Sequence, residues 1–207
     1  MDVILYYLAL SLSAIVVMTI MGFSKAYTSY KLGDVAIKNM GKVTLNPKKH
    51  FEILGFIVFV FFNYGWTAPI DTSSLYYKNR KKGNVLVCVV PLIFAIICAF
   101  FSYLIYFILI KNIGFSNGNF LVSFFYTLCI FFVNFAVFNL IPIYPLFGQK
   151  LFQTLLPANK ALKLSQYEKI MQVLVIFLLL SGLLQKVLDF ISMFIIGVIS
   201  LPINIIF

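Results

Sequence analysis

Few side chains in this 207-residue sequence could take part in chemistry. His50 is the single histidine. An imidazole can ligate a metal or move a proton, but one alone cannot assemble a three-ligand zinc site. Its expected role is a hydrogen bond in a loop near the membrane surface. Cys88, Cys98 and Cys129 all lie inside apolar runs. Such an odd, scattered set fits neither a disulfide framework nor a C-x-x-C metal site, so they are expected to pack in helix interfaces. The six acidic residues are dispersed, with Glu52, Asp71 and Glu168 in or beside loops. No serine has a base beside it that would signal nucleophilic catalysis. No Asp, Glu, Lys or Arg is expected well within a crossing, which argues against an ion pathway.

One stretch is nevertheless patterned. Between Met21 and His50 come Gly33-Asp34, then Gly41-Lys42-Val43-Thr44-Leu45-Asn46-Pro47, then His50 itself. It resembles the site-2 protease family of intramembrane zinc metalloproteases, where this place reads approximately H-E-x-x-H-A-x-x-A-x-x-x-G-D and then G-R-L-T-L-N-P-x-x-H. A second match lies far away. Phe138-Asn139-Leu140-Ile141-Pro142-Ile143-Tyr144-Pro145-Leu146-Phe147-Gly148 resembles the family's N-L-L-P-I-P-P-L-D-G, whose aspartate is the third zinc ligand. Tyr64–Pro69 is similar to F-G-W-A-K-P, Pro91 stands where the family has A-G-P-x-x-N, and Leu155-Leu156-Pro157 also looks like the family.

Laid on that pattern, the first histidine falls on Met21, the glutamate on Gly22, the second histidine on Lys25 and the aspartate on Phe147. Residues at i and i+4 share a helical face, which is how H-E-x-x-H offers two imidazoles to one zinc. A thioether at Met21 is a soft, weak ligand, and an ammonium at Lys25 has donors only and repels the metal. Gly22 has no side chain to take a proton from water. The plain expectation for these residues is a helix end with a small residue and a snorkelling lysine. The resemblance therefore implies the frame of a protease without its reactive groups: no catalytic residue, no metal and no cofactor.

The implied function is that of a pseudoprotease, which binds or regulates membrane protein segments without cutting them. The alternatives are an active intramembrane zinc metalloprotease with non-standard ligands, and a transport or channel subunit using the same fold. The expected partners are membrane lipids and a transmembrane or extended peptide segment of another membrane protein. Thr44, Asn46, Trp66 and Asn139 are the candidate partner-binding residues, and Trp66 has a second reading as an interfacial anchor.

The elements that must position these residues are apolar. The sequence is 62% hydrophobic and only 11% charged, more apolar than one soluble core can hide. The fold class expected is an all-α polytopic membrane protein, one domain over residues 1–207, with about five to six transmembrane helices and a short membrane-associated β element. Its spans are Val3 to about Met21, Val85–Ile110, Leu121 to about Ile141, Ile170–Leu184 and Val187–Phe207, and whether both of the last two cross is left open. Phe51–Trp66 is too short to cross and is read as a re-entrant insertion. The β element is Gly41–Pro47, where Lys42, Thr44 and Asn46 alternate with Val43 and Leu45. Asn134 and Asn139, in an apolar span, should face other helices. The first span is read as retained, not as a cleaved signal peptide. The net charge of +10 sits in loops beside apolar spans, a positive-inside pattern that argues against nucleic acid. It places the N-terminus outside, and Ser24–Gly83 and Gly148–Lys169 in the cytoplasm.

Overall fold

The computed structural model describes residues 3–206; Met1, Asp2 and Phe207, which the domain reading includes, lie outside the described residues. The expected all-α membrane architecture is what the chain adopts. Among the described residues four helices are long and apolar enough to cross a membrane: α1 (Val3–Lys31), α4 (Arg80–Lys111), α5 (Phe120–Phe138) and α9 (Leu183–Ile206). Between them lie the short helices α2 (Val35–Asn39), α3 (Ile53–Phe62), α6 (Phe147–Leu155), α7 (Ala158–Gln166) and α8 (Glu168–Leu180). Among the described residues only these four helices reach that length and apolarity, so the expected count of five to six is not confirmed. The apolar run beginning at Ile170 belongs to α8, whose 13 residues reach only about 20 Å. Ser181 and Gly182, the latter at φ 71, make the bend between α8 and α9.

The first helix is longer than its apolar run. Hydropathy falls after Met21, yet beyond Gly22, which the helix accommodates, no glycine or proline occurs before Gly33, so α1 continues to Lys31 and ends where Gly33 takes a φ of 114. A left-handed residue of this kind suits glycine and closes a helix. Asp34 then ties the helix end down. Its Oδ2 accepts from Ser29 Oγ at 3.0 Å and from Ser73 N–H at 2.8 Å, and Ser29 Oγ lies 2.6 Å from Tyr77 OH. The Gly33-Asp34 pair is therefore a structural clasp between α1 and the loop that precedes α4. Met21, Gly22 and Lys25 consequently sit inside a helix, not at its end, and all three are buried.

No strand occurs among the described residues, so the β element expected at Gly41–Pro47 is not formed. Alternation makes a strand only where a neighbouring strand can pair with it, and none lies beside this segment. Residues 42–46 run instead as an irregular arm, with Asn46 Oδ1 accepting from Lys48 N–H at 3.1 Å to start a 3-10 turn at Pro47–Lys49.

The insertion Phe51–Trp66 does turn back. Helix α3 has 10 residues, about 15 Å of rise, which cannot span a hydrocarbon core. Glu52 caps its start, accepting from Gly55 N–H at 2.6 Å, and Asn63 ends it in the left-handed region at φ 62. The returning limb lies against the helix. A Cβ on Gly55 would stand 2.4 Å from the Trp66 carbonyl oxygen, so only glycine permits this approach. Irregular backbone at membrane depth needs protein partners in place of water. Two asparagines supply them: Asn134 Nδ2 donates to the Asn63 carbonyl at 2.9 Å, and Asn139 Nδ2 to the Gly65 carbonyl at 3.1 Å.

The core lies where α1, α4 and α5 meet, with α4 and α5 sharing the most extensive contact. Ala9, Ser13 and Ala14 on α1 and Ala95, Ala99 and Ser102 on α4 are buried. Small residues of this kind let membrane helices approach closely, since van der Waals packing drives their association. Phe59 of α3 packs against Phe131 at 5.1 Å and Phe135 at 6.5 Å, seating the re-entrant hairpin on α5. Trp66 belongs to this interior: it is 2% exposed and stacks on Phe138 at 6.4 Å. It is not an interfacial anchor. Asp189 and Lys25 both lie within long apolar helices, contrary to the expectation that ionisable residues avoid the crossings. Tyr64 OH donates to Asp189 Oδ1 at 2.6 Å, joining the tip of the re-entrant hairpin to α9.

Candidate functional site

The two distant motifs converge. Helix α1 presents Met21 and Lys25 one turn apart, and Phe147 opens α6 directly after the turn that follows α5. Lys25 Nζ stands 4.3 Å from the centroid of the Phe147 ring, a cation–π distance. The ring is held in turn by Phe135, edge to face at 5.4 Å. The turn before α6 is fixed by Gly148 N–H donating to the Asn139 carbonyl at 2.7 Å. Met21 and Phe147 are almost wholly buried, and Lys25 is only 6% exposed.

His50 joins this group through Gly22. A Cβ at Gly22 would lie 2.4 Å from His50 Nδ1 and 2.7 Å from its Cγ, so the ring occupies the space a side chain would need. His50 Nε2 is 2.8 Å from the Thr44 carbonyl, which can only accept, so Nε2 carries the proton and Nδ1 is bare. Nδ1 is buried and among the described residues has no hydrogen-bond partner. Burial pushes the His50 pKa down, and the Thr44 carbonyl offsets part of that effect. The His50 carbonyl accepts from Ala68 N–H at 2.8 Å, which links the arm to the re-entrant hairpin. The sequence reading placed His50 in a loop with a hydrogen bond, and that bond is present. Its contact with Gly22 had no sequence signal, because 28 positions separate them and neither residue's type implies the other.

The four candidate partner-binding residues divide into two pairs. Thr44 and Asn46 lie on the arm, half-buried and exposed respectively. Among the described residues no acceptor takes the backbone N–H of Val43, Thr44 or Leu45. Trp66 and Asn139 are interior residues that position the hairpin. Trp66 Nε1 and Asn139 Oδ1 are buried and without a hydrogen-bond partner among the described residues, a donor and an acceptor at the same end of α5.

A cavity of about 330 Å³ opens beside Lys25, lined also by Asp71, Thr72, Tyr144, Gln149, Lys150 and Glu168. Lys150 Nζ donates to the Thr72 carbonyl at 2.5 Å and to Thr72 Oγ1. Desolvation lowers the Lys150 pKa, opposed by Cys88, Asp34 and Asp71. Gln149 Nε2 donates to Glu168 Oε1 at 2.5 Å. Sequence reading missed this cavity, since Thr72, Gln149 and Lys150 carry no motif.

A zinc ion does not fit the residues present. The converging positions supply a thioether, an ammonium and a phenyl ring, and the ammonium already faces the ring. Among the described residues no three His, Cys, Asp or Glu side chains gather in a set that could hold a metal.

No protein-family model matches the chain, and no solved structure matches it. A curated protein of Bacillus subtilis (strain 168), named "Putative zinc metalloprotease YwhC", is 31% identical over 179 residues, covering 81% of this chain and 80% of its own length. Identity of that extent, together with the convergence of the two motifs in space, carries one conclusion: the chain belongs to the site-2 protease family of intramembrane zinc metalloproteases.

Proposed function

We propose that this protein is a non-catalytic member of its family, a pseudoprotease that holds an extended or transmembrane segment of another membrane protein without cutting it. The observation that carries this reading is Lys25 Nζ at 4.3 Å over the Phe147 ring. Where two motifs would jointly bind a metal, a cation and a hydrocarbon ring face one another. Gly22 leaves no general base, and His50 fills the space beside it.

Binding needs none of the lost groups. An extended peptide is recognised by backbone hydrogen bonds along an unpaired edge, and Val43, Thr44 and Leu45 offer backbone N–H groups that nothing among the described residues takes up. The alternation at 42–46 supports a segment that becomes a strand when a partner strand arrives. Thr44 and Asn46 then belong to the contact surface, while Trp66 and Asn139 hold the hairpin behind it. The test is Thr44→Pro, which removes one of those donors and blocks pairing there. Crosslinking to membrane partners in cells should fall in this variant while expression and thermal unfolding stay normal. Unchanged crosslinking with an intact fold would overturn the binding role.

The basic arm and loops support an orientation with the His50 side of the membrane in the cytoplasm. Cysteines introduced at Lys38 and Ile113 should therefore label from opposite sides, and labelling from one side contradicts that orientation.

A further inference from the structure

Lys25 is a buried cation in search of an acceptor. It is 6% exposed, and among the described residues it makes no hydrogen bond and no ion pair; its ammonium faces the Phe147 ring. A ring face attracts the ammonium but accepts none of its three protons in the strong sense that an oxygen does. The cavity of about 330 Å³ lies beside it, at the lower end of the size range of small-ligand sites. Lys150 lines the same cavity. Thr72 takes two of its protons through the carbonyl and Oγ1, which leaves one.

We propose that this cavity is a carboxylate-binding site, in which the Lys25 ammonium, with the spare Lys150 proton, holds the carboxylate of a peptide end. Charge sets the class of ligand. Asp71 and Glu168 also line the cavity, so a dianion such as phosphate meets repulsion that offsets the two lysines. A peptide end carries one negative charge with N–H donors beside it, and so uses the lysines and the acidic acceptors together. Charge-assisted bonds from an ammonium to a carboxylate are roughly twice as strong as neutral ones, and the buried setting strengthens them further. An ammonium thus becomes the electropositive group of the site. The source of the carboxylate rests on the peptide-binding reading above; the site itself does not.

The test uses the full chain in an uncharged detergent. Fluorescence anisotropy is measured with a BODIPY-labelled Leu-Val-Leu-Ala peptide carrying a free C-terminal carboxylate, and with its C-terminal amide. The acid should bind about 10-fold more tightly than the amide, the scale of one charge-assisted bond. Lys25→Met should erase that difference, and Lys25→Arg should restore it. Equal binding of acid and amide to the unsubstituted protein, with Thr44→Pro weakening both, overturns the carboxylate site and leaves the peptide reading standing. If neither peptide binds, thermal unfolding in sodium acetate against sodium chloride of equal ionic strength decides. A rise specific to acetate that Lys25→Met abolishes keeps the site, with a free small carboxylate as its ligand, and removes the peptide reading. Acetate acting no differently from chloride sinks both.

Discussion

Gly22→Ala isolates the packing of His50 against α1, because it adds one carbon where the ring already lies. The new Cβ would stand 2.4 Å from Nδ1, 2.7 Å from Cγ and 3.0 Å from Cβ of His50. Ordinary contact between such atoms is about 3.5 Å, so the ring must retreat by about 1 Å. A retreat of that size from a 2.8 Å bond to the Thr44 carbonyl breaks it, at about 1 kcal/mol. Overpacking a filled interior adds about 1–3 kcal/mol. Against these, alanine gains about 1 kcal/mol over glycine within a helix. The net expectation is a loss of roughly 1–3 kcal/mol, which for a chain of this length is a fall in unfolding temperature of roughly 3–10 °C. Gly197→Ala is the control. It lies within α9 with nothing within 4 Å of its added Cβ, so the helix gain stands alone and stability should hold or rise. In the double variant Gly22→Ala/His50→Ala the space is returned, and the losses should be clearly less than additive. Thermal unfolding in detergent reads the parent, the single variants Gly22→Ala, His50→Ala and Gly197→Ala, and the double variant. Should Gly22→Ala behave like Gly197→Ala, the ring does not occupy the place beside Gly22 and the reasoning fails.

Two further expectations concern the scaffold. Asn139→Leu keeps the side-chain shape but leaves the Gly65 carbonyl without its donor, and should cost about 1–3 kcal/mol in unfolding measurements; a variant as stable as the parent would mean that this bond does not hold the hairpin. Burial lowers the His50 pKa in the folded chain, while in the unfolded chain it titrates at about 6.5. The stabilising contribution is therefore complete above that unfolded value and declines as pH falls through the window toward the folded pKa. Unfolding temperatures between about pH 7.5 and pH 5 should fall more steeply for the parent than for His50→Gln, and parallel curves would contradict the assignment.

Much of this organisation is legible in the sequence where a residue type admits one use. Asn134 and Asn139 stand in an apolar span and must find acceptors or donors, and each bonds the backbone of the re-entrant hairpin. The shortness of Phe51–Trp66 already rules out a crossing. Other features depend on partners that the sequence does not name. Hydropathy locates the end of an apolar run, not of a helix, so α1 passes unnoticed beyond Met21 to Lys31, and Lys25 is buried among helices rather than snorkelling. Alternation at 42–46 has the period of a strand, but among the described residues no neighbouring strand exists and the segment stays irregular. Trp66 has the composition of an interfacial anchor and the position of a core residue, because Phe138 lies beneath it. Asp189 goes unremarked in an apolar run, and only the fold brings Tyr64 to it. The candidate site itself divides the same way. Its ligand positions follow from two motifs, whereas the Lys25–Phe147 pair, the His50 ring beside Gly22 and the cavity at Lys150 exist only once those motifs meet.

The central claim is that an ammonium and a phenyl ring have taken the place of a metal, and the zinc content of the protein tests it most directly. The full chain, purified in detergent without chelator and supplied with zinc during expression, should carry well under about 0.1 zinc per chain by elemental analysis, with no change in unfolding temperature on adding chelator. About one zinc per chain, removed by chelation with a loss of stability, would contradict it.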